Sequence, residues 1–74
     1  MDLDYKQIGQ RIARCRKKAG LTQAALSEMV DISPTYMSSI ERAVSIPSTE
    51  VIMRLAIALD TTPDEFLAGT YRKK

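Results

Sequence analysis

The stretch QAALSEMVDISPTYMSSIER, residues 23–42, decides the fold. Leu26, Met29 and Val30 recur at the helical period, which predicts a helix from Gln23 to about Val30 with those three side chains inward. Thr22 precedes it as the N-cap. Asp31-Ile32 leaves room only for a tight turn, and aspartate is one of the few non-glycine residues that tolerates left-handed backbone there. Ser33 then caps a third helix, reaching about Arg42, that Pro34 opens at the position where a missing N–H is no loss. Two short helices joined this tightly cross at about 90–120° instead of running side by side. Ser27 is small where they would cross, and Ile32 can fill the space beneath the turn.

On a wheel starting at Pro34, the residues Ser38, Arg42, Thr35 and Ser39 fall at about 40°, 80°, 100° and 140°, while Tyr36, Ile40 and Met37 fall at about 200°, 240° and 300°. One arc is apolar and the other carries short hydroxyls and an arginine. Long Glu, Lys and Gln side chains usually fill the polar arc of a surface helix. Short ones let the backbone approach a partner, and Ser, Thr and Arg are donors or acceptors for base edges and phosphates in a major groove. A plain solvated face is the competing reading. The arrangement as a whole is a helix-turn-helix.

Outward from this centre the helical period continues. Ile8, Ile12 and Cys15 mark a first helix from about Tyr5 to Lys18, ended by Gly20. Ser48 caps a fourth, Thr49 to Leu59, that buries Ile52, Leu55, Ala56 and Leu59. Thr62-Pro63 starts a short fifth helix through Leu67. The chain reads as all-α, a compact five-helix orthogonal bundle with no sheet, forming one domain over residues 1–74. Its core spans about 5–68, and residues 69–74 make a basic tail.

Composition narrows the function. The 74 residues are 45% apolar and 27% charged, with one cysteine and no histidine. Cys15 alone makes no intrachain disulfide, which fits a reducing cytoplasm, and the usual zinc ligand set is missing. The densest apolar run, Val51 to Leu59, contains Arg54 and is far short of the roughly 20 residues of a membrane span. Asp2 and Asp4 are unlike the start of a signal peptide. Net charge is only +2, but Lys6, Arg11, Arg14, Arg16, Lys17 and Lys18 fall in one stretch without an acid. From Ala43 to Tyr71, Arg54 alone stands against Glu50, Asp60, Asp64 and Glu65, and Arg72, Lys73 and Lys74 close the chain. Such asymmetry suggests one face turned toward a polyanion, with a solvated face as the alternative.

The sequence resembles the Cro/repressor (XRE-like) type of helix-turn-helix transcriptional regulator, which includes phage repressors and restriction–modification controller proteins and has a lambda-repressor-like DNA-binding domain. The resemblance runs from Ile8 to about Leu67. It rests on Ile8-Gly9-Gln10-Arg11-Ile12, on Gly20-Leu21-Thr22-Gln23, on Ser33 through Arg42 with its Ser39-Ile40-Glu41-Arg42, on Pro47-Ser48, and on Leu55 to Leu59 with Phe66-Leu67. It implies that Thr35, Ser39, Pro34 and Ser38 read bases, Pro34 through apolar contact only. It implies phosphate contacts from Gln23, Arg42, Tyr36 and Thr22. Gln23 as an ordinary first-turn residue and Tyr36 as a packing residue are the bland readings. Arg16 and Glu41 match a structural ion pair between the first and third helices. Asp31 and Ala43 stand where the family usually has glycine.

The resemblance further implies a sequence-specific regulator, most simply a repressor, on a palindromic double-stranded-DNA operator in the cytoplasm. A homodimer is expected because one recognition helix spans only a few base pairs and half-sites lie about 34 Å apart. Ile57, Leu59, Thr61, Phe66 and Leu67 are the interface candidates, with plain core as the other reading. An antitoxin or other protein-binding module of the same fold is the alternative, so a second protein stays open as a partner. No enzyme, cofactor, metal or membrane association is expected. Scattered carboxylates and a chain too small for a deep pocket leave catalysis without a site.

Overall fold

The computed structural model describes residues 2–72. The five expected helices are present: α1 (Tyr5–Lys18), α2 (Gln23–Met29), α3 (Pro34–Glu41), α4 (Thr49–Ala58) and α5 (Pro63–Leu67). To these the structure adds a small antiparallel ribbon, β1 (Asp2–Leu3) paired with β2 (Tyr71–Arg72) in the register Asp2↔Arg72, Leu3↔Tyr71. Two-residue strands carry no readable alternation, so the sequence pattern hid them. The ordered fold therefore runs past residue 68. Thr70 is buried, its hydroxyl donates to the Leu67 carbonyl at 2.6 Å, and its own carbonyl accepts from the Asp4 amide. Lys73 and Lys74 of the expected basic tail lie outside the described residues.

Each helix contributes its apolar stripe to one core: Ile8 and Ile12 from α1, Leu26 from α2, Met37 and Ile40 from α3, Val51, Ile52, Leu55 and Ala56 from α4, and Phe66 from α5. Val30, just after α2, completes it. Met29 departs from expectation, being 56% exposed. Ser27 is buried beside Leu26 and Val30, which turns the inward arc of α2 away from Met29. Leu59, just beyond α4, is half-buried and packs against the core margin.

The helix starts follow side-chain chemistry. The oxygens of Thr22, Ser33 and Ser48 accept from the amides of Ala25 (3.0 Å), Tyr36 (3.0 Å) and Val51 (3.2 Å), and Asp4 does the same for Gln7 (3.2 Å). Thr62 makes no such bond, so Pro63 alone marks the start of α5.

The ends of α1 to α4 share one device. In each, the amide after the cap bonds back three residues and the next amide bonds back five: Gly20 to Lys17 and Leu21 to Arg16, Asp31 to Glu28 and Ile32 to Ser27, Ala43 to Ile40 and Val44 to Ser39, Asp60 to Ile57 and Thr61 to Ala56. This is the Schellman closure, which needs a left-handed residue just beyond the cap. Gly20 meets it freely at φ 75°, whereas Asp31, Ala43 and Asp60 adopt φ 60°, 61° and 53°.

A left-handed non-glycine residue costs about 1–2 kcal/mol, part of which glycine's larger unfolded-state entropy offsets. Ala43→Gly is therefore expected to stabilise by about 0.5–1 kcal/mol and raise Tm by roughly 2–8 °C in a thermal melt. A lowered Tm would show that the Ala43 methyl contributes more than its backbone strain removes.

Candidate nucleic-acid interface

Three elements position the outward face of α3. Its apolar arc is fixed in the core by Met37 and Ile40, which leaves Thr35 and Pro34 exposed and Ser38 and Ser39 half-exposed beside exposed Arg42. Its N-terminus is set by the tight turn from α2, where Asp31 holds the left-handed position and Ile32 packs against the core. Its C-terminus is crossed by α1. A Cβ on Gly9 would lie 2.5 Å from the Ile40 carbonyl oxygen and 2.8 Å from that of Glu41, so only glycine lets α1 approach this closely. A glycine inside a helical pattern was the available sign of that approach, since it costs about 1 kcal/mol against alanine and needs a packing reason.

Beside this crossing sits a buried network. Arg16 Nε donates to Glu41 Oε2 at 2.7 Å, Nη2 donates to Oε1 at 3.0 Å, and Nη1 donates to the Leu21 carbonyl at 2.8 Å. The two side chains are 10% and 6% exposed. Gln23 Nε2 adds a third bond to the carboxylate, reaching Oε1 at 3.0 Å. The sequence reading paired Arg16 with Glu41 but had no sign of this link from Gln23. Hydrogen bonding to Glu41 raises the Arg16 pKa, burial opposes the rise, and the carboxylate's charge adds to it. Stability from a raised pKa is present below the unfolded value and lost only as pH climbs through the folded one. For an arginine that window lies far above neutrality, so this group keeps its contribution across the physiological range.

The polar side chains on this face differ in what they have left to offer. Thr22 accepts the cap bond, which leaves its O–H free to donate, and Gln23 keeps its second amide hydrogen. Arg42 lays Nε on the Ser38 hydroxyl at 3.3 Å, leaving its terminal nitrogens outward. Tyr36 is half-buried, and its hydroxyl donates to the Ile46 carbonyl at 3.3 Å. A phosphate offers only acceptors, so Tyr36 would have to release Ile46 to reach one.

The five candidate interface residues do not form one surface. Phe66 is wholly buried in the core, where it cannot contact a partner. Leu59 and Thr61 line a cleft with Cys15, Lys18 and Glu65, whereas Leu67 lines an apolar groove with Leu3, Ile46 and Met53. Ile57 is 76% exposed on α4, one turn from Met53.

The helix-turn-helix family profile matches residues 12–66. The chain belongs to this family. The helix-turn-helix family is one of DNA-binding transcription regulators and not of enzymes. Repressor protein C2 of Salmonella phage P22 is 40% identical over 67 residues, covering 90% of this chain and 31% of the repressor. A crystal structure of P22 c2 repressor with a synthetic operator superposes at TM-score 0.78 and 40% identity, over 84% of this chain and 94% of that one. The restriction–modification controller protein C.AhdI from Aeromonas hydrophila matches at TM-score 0.84 and 33% identity, over 86% and 97% of the two chains. The regulator SinR of Bacillus subtilis is 36% identical over 56 residues, 74% of this chain and 50% of SinR. The chain thus spans about a third of the P22 repressor and half of SinR.

Removing one partner of a buried ion pair strands the other charge, at about 3–5 kcal/mol. Glu41→Ala should therefore destabilise by that amount, a large part of the roughly 4–11 kcal/mol available to a domain this size. The joint replacement Arg16→Met/Glu41→Leu should cost less in the same urea titration. A double variant weaker than Glu41→Ala would mean that the network stabilises by more than avoided desolvation.

Proposed function

We propose that this chain is a sequence-specific regulator of transcription, most simply a repressor, that binds double-stranded DNA in the cytoplasm with α3 in the major groove. The observation that carries the reading is the outward face of α3: short hydroxyls and one arginine, on a helix whose rotation is fixed by the core and by the Arg16–Glu41 pair. A helix presented this way can bring its backbone close to base edges. The similar P22 repressor, described in complex with an operator, supports the same assignment.

Within this reading Thr35 and Ser39 contact base edges, with Ser38 beside them and Pro34 offering apolar contact to a thymine methyl. Thr22, Gln23 and Arg42 hold phosphates through the donors their internal bonds leave free. Tyr36 serves chiefly to tie α3 to the loop carrying Ile46. Among the described residues no helix is long and apolar enough to cross a membrane. Among the described residues a purely protein-binding role has no observation in its favour.

The dimer that a palindromic operator requires is best supported by the apolar groove, about 380 Å³, lined by Leu3, Ile46, Met53 and Leu67 among others. Leu3, Ile46 and Met53 are 44%, 62% and 48% exposed, and Ile57 extends the same apolar character along α4. Of the earlier candidates, Ile57 and Leu67 remain suited to this contact.

Selection from random duplex DNA, followed by anisotropy titration, tests the reading. A near-palindrome with half-sites about 34 Å apart is the expected product, and no enrichment would refute sequence reading. At that site Thr35→Ala or Ser39→Ala should each cost about 1–3 kcal/mol and relax the preference at one base pair. Ile57→Asp should weaken self-association by about tenfold or more in sedimentation, about 1.4 kcal/mol, while leaving the fold intact. An unchanged association constant would move the interface elsewhere.

A further inference from the structure

The terminal ribbon meets the apolar groove at one residue. Leu3, in β1, lines the groove together with Ile46, Met53 and Leu67. Every other lining residue lies in a helix or in the loop that enters α4, where the core fixes it. Leu3 stands ahead of α1. Its strand pairs with β2, and the amide of the next residue, Asp4, donates to the Thr70 carbonyl. One wall of the groove is therefore supplied by residue 3 and held in place by residues 70–72.

The chain reaches that position through a single turn. Ala68 has φ −62° and ψ 127°, Gly69 follows at φ 73°, and the Thr70 amide donates to the Leu67 carbonyl at 3.1 Å. These are the marks of a type II turn, whose third residue needs a positive φ. A Cβ on Gly69 would meet nothing nearer than Arg11 Nη2 at 3.9 Å, so the backbone and not the available space calls for glycine there. Arg11 Nη1 donates to the Ala68 carbonyl, and Thr70 is buried, which anchors the turn to α1 and α5. Beyond this anchor the ribbon has only the pairs Leu3↔Tyr71 and Asp2↔Arg72.

Two residue pairs are too few for a strand pair to be stable by itself. The closed and open ribbons therefore differ little in free energy, and a partner that touches Leu3 selects the closed one. The groove's lining contains no charged side chain. A two-fold contact sets a surface against its own copy, so any charge there would meet its like, and this face avoids that repulsion. We propose that ribbon closure and self-association are one coupled equilibrium: a second copy of this chain docks on the groove that Leu3 completes, and docking clasps the ribbon shut. The proposal rests on the dimer reading above and makes Gly69 a positioning residue for it. A two-fold contact uses one ribbon from each copy, so the closed fraction enters the association constant twice.

Sedimentation of the parent, Gly69→Ala, Gly69→Asn and Met53→Asp gives the association constants, and amide hydrogen exchange at Asp4 follows the ribbon. Gly69→Ala should weaken self-association by about tenfold or more. Gly69→Asn should weaken it less, because asparagine tolerates this turn position. Coupling is reciprocal, so the Asp4 amide of the parent should exchange more slowly as rising concentration turns monomer into dimer. The Ala25 amide, capped by Thr22 on α2, should keep its rate. This second measurement uses the unaltered chain and is free of any folding defect. If Met53→Asp breaks the dimer while Gly69→Ala associates like the parent, or while Asp4 exchange ignores concentration, the coupling is wrong and the groove remains the interface. If the parent does not self-associate, or Met53→Asp associates as the parent does, the groove contact falls and the coupling falls with it.

Discussion

The outward face of α3 depends on one buried guanidinium–carboxylate pair. Arg16 reaches from α1 to the last residue of α3 and, through its third bond, to the carbonyl of Leu21 that leads into α2. Glu41 accepts from both α1 and α2. Three helices are thus referred to a single planar group. Apolar packing could hold them together as strongly, because replacing a buried pair by well-packed hydrophobic side chains is often neutral or better for stability. Packing is non-directional, however, whereas a forked set of short bonds fixes rotation. The pair's contribution is the azimuth at which α3 presents Thr35 and Ser39, and Gly9 permits the approach that makes its length sufficient.

The same chain accepts strain at its corners. Four helices close with one backbone motif, and three of the four left-handed positions are not glycine. In a domain this small each such residue consumes a noticeable part of the net stability. Ala43 is the least suited, since it lacks the local hydrogen bonding that eases aspartate into this conformation. It sits between α3 and the loop that carries Ile46, joining the candidate recognition surface to the candidate partner surface.

Much of this architecture was legible in the sequence. Helices α1 to α4 announce themselves by apolar spacing and by Thr22, Ser33 and Ser48 at their starts, because capping and periodicity are local and depend on residue type. The turn was readable for the same reason: Asp31 and Gly20 mark left-handed positions by chemistry alone. What escaped depends on distance in space. Two-residue strands joined across the whole chain leave no pattern, and Met29 matched the period of its helix while lying outside the arc that packing selected. Phe66 read equally well as core or interface until its environment decided the matter. The resemblance implied phosphate contacts from Gln23 and Tyr36, yet each already spends a donor on a partner outside its own helix. The cations of α1 were visible as a charge run, but only the fold shows that three of them share a cleft with Arg42.

The terminal ribbon has a mechanical consequence. Because Asp2 faces Arg72 at its open end, a force applied between the two ends of the described chain loads the ribbon bond by bond instead of shearing it all at once. Peeling geometries yield at low force, so this clasp would part first. The bond from Asp4 to Thr70 comes next along the line of tension, and the side chain of Arg11 holds Ala68 just behind it. Tension would therefore reach the foot of α1, the helix that carries Gly9 and Arg16, before it disturbed the core around Leu55 and Phe66. Under an end-to-end pull the ribbon would open before the core is loaded.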